Sequence, residues 1–162
     1  MFRIGHGIDV HRLVVKQKPL MLAGIEIESP LALEAHSDGD VVLHALTDAL
    51  LGAAGLGDIG RHYPDTDERY RGQNSAFFVH DTLDKITASG YTLGNIDITI
   101  MAQTPRLSPF IERMRHHLAK MLGIEAPAVN IKATTTEQLG FVGRKEGIEV
   151  HAVALIYKTG MK

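Results

Sequence analysis

Residues 2–11 read Phe2-Arg3-Ile4-Gly5-His6-Gly7-Ile8-Asp9-Val10-His11, and their alternation governs the reading of everything after them. Phe2, Ile4, Ile8 and Val10 fall on one side of a two-residue period and Arg3, Asp9 and His11 on the other, as a half-buried strand requires. The same period puts a carboxylate and an imidazole, Asp9 and His11, on one face. A short stretch from Lys18-Pro19 to Ser29-Pro30 follows and reads as a small hairpin. Ser37 and Asp40 then form an S-x-x-D capping pattern ahead of the periodic run Val41, Val42, Ala45, Leu46, Ala49, Leu50 and Ala53, which predicts a helix. Asp40, His44 and Asp48 recur every four residues along its polar stripe.

Gly57 to Gly72 is rich in Gly, Asp and Arg and has little periodicity, so it reads as a mobile loop over a site. A second helix runs from about Ser75 to Ser89 and stops at Gly90, and a third starts at Ser108-Pro109 and stops at Gly123. Alternation predicts strands over Ile96 to Ala102, Val129 to Ala133 and Ile148 to Ile156. The order of elements points to an α/β domain of the α+β type, in two layers, with a mixed sheet carrying its helices on one face. The other sheet face is then left to self-association.

The 162 residues amount to one domain, 1–162, with no internal repeat. Seventeen Lys and Arg against nineteen Asp and Glu give a formal charge of −2, which argues against a general nucleic-acid binder. No apolar stretch approaches a membrane span and no leader is visible, so a cytoplasmic enzyme is expected, or a plastid stromal one if a transit peptide has been removed. Cys is absent, so a transition metal would need His, Asp or Glu.

Asp9 and His11, with His44 from the helix, could supply three protein ligands and leave one tetrahedral position open, with Asp48 orienting the His44 ring. Spacing alone leaves open whether these groups hold zinc or are only hydrogen bonded. Ala35-His36-Ser37-Asp38-Gly39-Asp40 lies at a helix N-terminus, which suits an anion such as phosphate but also suits ordinary capping. Lys132 and Thr134-Thr135-Thr136-Glu137 gather an ammonium, hydroxyls and a carboxylate at a strand end, a set that fits a phosphate chain with a hard cation or a solvated turn. Gly140-Phe141-Val142-Gly143-Arg144 adds a guanidinium in a Gly-flanked turn. Gly55-Leu56-Gly57-Asp58-Ile59-Gly60 matches G-x-G-x-x-G formally, yet it ends a helix and enters a loop, so it is read as a helix stop. His116 and His117 read as surface or packing residues.

Gly5-His6-Gly7-Ile8-Asp9-Val10-His11, Ala35 to Asp40, His44-Ala45-Leu46-Thr47-Asp48-Ala49-Leu50, Gly57-Asp58-Ile59-Gly60, Pro64-Asp65-Thr66-Asp67 and Lys132 to Glu137 occur together and in order. In this the chain resembles the 2-C-methyl-D-erythritol 2,4-cyclodiphosphate synthase family of non-mevalonate isoprenoid biosynthesis over nearly its whole length. The resemblance implies a lyase that turns 4-diphosphocytidyl-2-C-methyl-D-erythritol 2-phosphate into the 2,4-cyclodiphosphate and CMP. It makes Asp9, His11 and His44 zinc ligands and Glu137 the holder of magnesium or manganese. It gives His36, Asp58, Thr135 and Glu137 catalytic roles, with His36 and Asp58 at the phosphate and methylerythritol parts of the substrate. Thr134, Thr135 and Arg144 would meet phosphate oxygens, and Ala102, Gln103, Thr104, Pro105, Arg106 and Leu107 would cradle cytosine. Ser37, Ile59, Gly60, Asp65, Lys132 and Phe141 complete the implied substrate contacts. The resemblance also implies a homotrimer with active sites between subunits, and no nucleic-acid or membrane partner. Two alternatives remain at this level: a zinc-dependent hydrolase of a nucleotide diphosphate conjugate, and a non-catalytic trimer that binds isoprenoid diphosphates.

Overall fold

The computed structural model describes residues 1–15, 18–35, 37–64, 66–70 and 72–160. Five strands form one mixed sheet in the order β4-β1-β7-β5-β6. They are β1 (Phe2–Val15), β4 (Leu31–Leu33), β5 (Tyr91–Met101), β6 (Val129–Thr134) and β7 (Gly147–Lys158). Only β5 and β6 run parallel as neighbours. β2 (Leu20–Leu22) and β3 (Ile25–Ile27) make the separate hairpin that the Pro/Gly-bounded stretch predicts. The helices α1 (Val41–Ala54), α3 (Ser75–Ala88) and α4 (Ile111–Leu122) pack on one face of the sheet, as expected. Elements of three or four residues carry too little periodicity to announce themselves: β4, α2 (Ile59–His62) and α5 (Gly140–Gly143) had no counterpart in the sequence reading.

The core is the covered face. Ile96, Ile98 and Ile100 of β5 alternate toward the helices, as do Ile148, Val150, Ala152, Ala154 and Ile156 of β7, all essentially inaccessible. Each isoleucine so buried is worth about 1.5–3 kcal/mol over an exposed one. On β1 the alternation is real, but the side that packs is the opposite of the apolar one. Phe2 and Ile4 are 72% and 68% exposed, and Ile8 and Val10 are exposed too, all on the face without helices. The covered side of β1 instead carries Gly5 and Gly7, and a methyl at either would lie 2.0 Å from a backbone oxygen of α1, that of Ala49 or Ala45. The glycines let the helix backbone rest directly on the strand. Hydropathy reads side chains, so it missed a face whose packing depends on having none.

The start of α1 also differs from the S-x-x-D expectation. Asp40, not Ser37, is the cap: its carboxylate accepts the amides of Val42 and Leu43, both at 3.1 Å. It also accepts those of Ala23 (3.0 Å) and Gly24 (2.6 Å) in the β2–β3 turn. Asp40 is fully buried rather than part of a polar stripe, and burial pushes its carboxyl up while the Gly24 and Leu43 amides oppose the rise. Ser37 instead accepts the amide of Gly39, at 3.2 Å. At the other end Gly55 (φ 72°) takes the left-handed cap position, so the G-x-G-x-x-G lookalike is indeed a helix stop.

Gly7→Ala is expected to destabilise the protein by about 1–3 kcal/mol or more, as overpacking does. Gly52→Ala, at an exposed position of α1 where the new methyl meets nothing closer than 3.8 Å, should be neutral or stabilising by up to about 1 kcal/mol. Urea unfolding of the two variants beside the parent checks both signs.

Candidate metal centre and active site

Because β1 lies against α1 at glycine distance, the C-terminal half of the strand sits beneath the first turns of the helix. Asp9 and His11 point up from β1 and His44 points down from α1, and their ligand atoms converge. Asp9 Oδ2 lies 2.9 Å from His11 Nε2 and 3.2 Å from His44 Nδ1, and the two ring nitrogens are 3.3 Å apart. A tetrahedral ion with bonds of about 2.0–2.1 Å has ligand atoms about 3.3 Å apart, so these three atoms fit one face of such a shell. Among the described residues this is the one cluster of three or more His, Cys, Asp or Glu that could hold a metal. Burial alone would raise the Asp9 carboxyl, but hydrogen bonds with His11 and His44 prevail and lower it to about 2. Asp9 therefore stays an anionic ligand across the neutral range.

Asp48 does not orient His44 as expected. Its Oδ1 accepts the Ile59 amide at 2.7 Å and so anchors the start of α2. Burial raises the Asp48 carboxyl, the Ile59 amide opposes that rise, and the nearby Asp58 charge adds to it. His44 uses a different partner: its Nε2 lies 2.8 Å from the hydroxyl of Ser75, at the start of α3. His11 has no equivalent, and its Nδ1 is buried without a hydrogen-bond partner among the described residues.

Beside the triad opens a cavity of about 750 Å³ whose lining includes His11, Ser37, His44, Ile59, Gly60 and Tyr63. Described residues of the stretch expected to form a loop, within 59–64 and 66–70, contribute to this lining, partly as helix: α2 and a single 3₁₀ turn at Glu68–Tyr70. Asp58 caps α2, accepting the Arg61 amide at 2.9 Å. Tyr63, Tyr70 and Phe78 form an aromatic wall, with Tyr63 and Phe78 ring centres 4.8 Å apart. The Tyr63 hydroxyl donates to Asp81 at 2.6 Å and lies 3.2 Å from that of Thr82. His36 and Asp65, both singled out in the sequence, lie outside the described residues.

The other half of the expected site is elsewhere in the chain. Asp9 pairs with Val150, Val150 with Ile100, and Ile100 with Ala133, so β6 lies three strands from the triad, roughly 14 Å at the usual spacing. There Thr135 donates to Glu137 Oε1 (3.2 Å), and Gln103 accepts the Gln138 amide (3.3 Å), which fastens the Ala102–Leu107 segment to the turn. Ala102 also donates to the Thr134 carbonyl at 2.9 Å. Glu137 (φ 52°) and Gln138 (φ 66°) are successive left-handed residues, a strained conformation of the kind found at functional turns. Lys132 points to the face without helices and pairs with Asp97, while Arg144 pairs with Glu146 at 3.0 Å. Arg106 donates to Ser108 at 3.0 Å. Phe141 lies with Val10 and His11 around a smaller hollow of about 280 Å³. None of Ala102 to Leu107, Lys132, Thr134, Thr135, Glu137 or Arg144 lines the cavity at the triad.

Fold and site together define an α/β protein with three side chains placed to hold a metal ion beside a cavity. The chain belongs to the YgbB family, which it matches over residues 2–157. It is 52% identical over 157 residues to 2-C-methyl-D-erythritol 2,4-cyclodiphosphate synthase of Francisella tularensis subsp. novicida, covering 97% of this chain and 99% of that one. Among solved structures it superposes on the bifunctional IspDF of Campylobacter jejuni with a TM-score of 0.93 at 47% identity, covering 98% of this chain and 42% of that longer one. IspF of Plasmodium falciparum in complex with CDP gives a TM-score of 0.86 at 34% identity, covering 97% and 96%.

If the triad holds a divalent metal, His44→Ala should lose it while remaining folded, because the side chain lines the cavity rather than filling the core. Elemental analysis of the purified variant, with circular dichroism as the check on folding, reads both. A full equivalent of metal in the variant would exclude His44 as a ligand.

Proposed function

We propose that this chain converts 4-diphosphocytidyl-2-C-methyl-D-erythritol 2-phosphate into 2-C-methyl-D-erythritol 2,4-cyclodiphosphate and CMP, with zinc at Asp9, His11 and His44. The observation that carries this is the convergence of those three ligand atoms beside a roomy cavity, in a chain matching a named synthase over 97% of its length. An oxygen of the 2-phosphate attacks the β-phosphorus, and the bond from that phosphorus to the oxygen bridging the α-phosphorus breaks. The electron pair leaves with CMP. The nucleophile is already anionic, so no side chain has to take a proton, and the chain's task is positioning and charge neutralisation.

Asp9, His11 and His44 would hold zinc, which when bound would polarise a phosphate oxygen of the substrate. Glu137 would hold magnesium or manganese, which takes one or two carboxylates together with substrate phosphates and relieves charge on the departing CMP. Ser37, Ile59 and Gly60 at the cavity, with Asp58, His36 and Asp65, would seat the methylerythritol end. Thr134, Thr135, Lys132 and Arg144 would receive phosphate oxygens, Ala102 to Leu107 the cytosine, and Phe141 the remaining contact. The CDP held by the Plasmodium relative supports a cytidine nucleotide as the ligand. Incubation with the cytidyl substrate and magnesium should yield CMP and a cyclic diphosphate resolved by phosphorus NMR. A free monophosphate in place of the cyclic product would favour the hydrolase reading, and tight binding without turnover the binding module.

We infer, too, a homotrimer with sites shared between neighbours. Two observations support it: Phe2, Ile4, Ile8 and Val10 are exposed on the uncovered face, and none of Thr134, Thr135, Glu137 or Arg144 lines the cavity at the triad. Neither half is a complete site alone. His44→Ala and Glu137→Ala chains, unfolded and reassembled at equal amounts, would pair an intact zinc half with an intact Glu137 half in about a quarter of the sites of a cyclic trimer. Recovery of about a quarter of wild-type activity is the expected result. Mixed trimers no more active than the separate variants would place both halves in one chain.

A further inference from the structure

The buried contacts behind His44 are not needed to cap a helix, and they decide where its proton sits. Asp38 spans both polar hydrogens of Ser75: its Oδ2 accepts the Ser75 amide at 2.9 Å and its Oδ1 accepts the Ser75 hydroxyl. Oδ1 also accepts the Asp40 amide at 3.1 Å. An ionised carboxylate only accepts, and a serine hydroxyl has a single proton. With that proton committed to Asp38, the Ser75 oxygen facing His44 at 2.8 Å can only accept, so the ring must donate from Nε2. Nδ1, aimed at Asp9 and His11, is then left with its lone pair toward the ligand cluster. Ser37 is the only other hydroxyl near Nε2 among the described bonds; it lies 3.5 Å away, at the limit of a hydrogen bond, against 2.8 Å for Ser75.

We propose that Ser75 and Asp38 are positioning residues for the metal: a carboxylate-hydroxyl-imidazole relay that fixes His44 as the Nε2–H form and presents Nδ1 to the ion. This rests on the reading of Asp9, His11 and His44 as metal ligands. Ser75 is wholly inaccessible, and the hydroxyl spent on this contact sits in an interior where an idle polar group would be costly. Orientation of a ligand histidine through its second nitrogen is a general device, and removing the outer partner typically weakens metal binding 10- to 100-fold. The relay also joins three elements, because Asp38 precedes α1, Ser75 opens α3 and His44 projects from α1 toward β1.

The test is zinc affinity of the full chain, measured by competition with a chromogenic chelator, for the parent and for Ser75→Ala, Ser37→Ala and His44→Ala. The expected pattern is a loss of roughly 10- to 100-fold in Ser75→Ala, with Ser37→Ala within about twofold of the parent. Wild-type affinity in Ser75→Ala alongside loss in His44→Ala would overturn the relay and leave the metal reading intact. Wild-type affinity in His44→Ala would overturn both. A second reading needs no variant: in the zinc-loaded parent, nitrogen-15 NMR should show a His44 Nε2–H protected from solvent exchange. A rapidly exchanging Nε2–H there would overturn the proposal, even were Ser75→Ala to fail to fold.

Discussion

The contact on which the rest depends is that between the backbones of β1 and α1. Gly5 and Gly7 leave room for the carbonyl oxygens of Ala49 and Ala45 where any side chain would collide. That approach sets how far His44 hangs above Asp9 and His11, and a ligand cluster with spacings of 2.9 to 3.3 Å tolerates little change in it. A helix lifted by one methyl would carry its imidazole away from the strand. Packing density and ligand geometry are thus one requirement, met by two residues with no side chain to contribute.

Around that contact the polar groups form a frame more than a surface. Asp40 gathers amides from the β2–β3 turn and the first turn of α1, Asp48 holds the start of α2, and Asp38 holds the start of α3. Three acidic side chains within one short stretch of sequence each fasten a different element to α1. Lys18 adds a fourth tie, donating to the carbonyls of Ala35 and Ser37 at 3.2 and 3.1 Å. The cavity wall is consequently held at Ile59 by Asp48 of α1, and α3, which supplies Phe78 to it, is held by Asp38 in the lead-in to α1.

The sequence was legible wherever period carried the signal. Val41 to Ala54 and the alternating isoleucines of β5 and β7 declare helix and strand, and a two-residue period suffices to bring Asp9 beside His11. Its failures have physical causes. The inner side of β1 is glycine, which has no hydropathy, so the apolar residues drew attention to the uncovered side. Asp48 stood one turn from His44 and looked like its partner, but the Ile59 amide claimed it. Ser75, the actual partner, is 31 residues away, and as a serine opening a helix it carries the disguise of an ordinary cap. Local spacing speaks for contacts within an element and is silent about those between elements.

The place of β7 in the sheet gives the chain a particular history. It pairs with both β1 and β5, yet it follows every other strand in sequence. Until it inserts, β4-β1 and β5-β6 are two half-sheets with no bond between them. A chain leaving the ribosome has all three triad residues by position 44, but β5 and β6 have no strand to join them to β1 until residues 147–158 follow. Assembly is therefore dominated by long-range closure, the slow kind, with apolar strand surface exposed in the interval. The strand that carries Asp9 and His11 and the strand that leads to the Glu137 turn share one sheet only through the last strand to arrive.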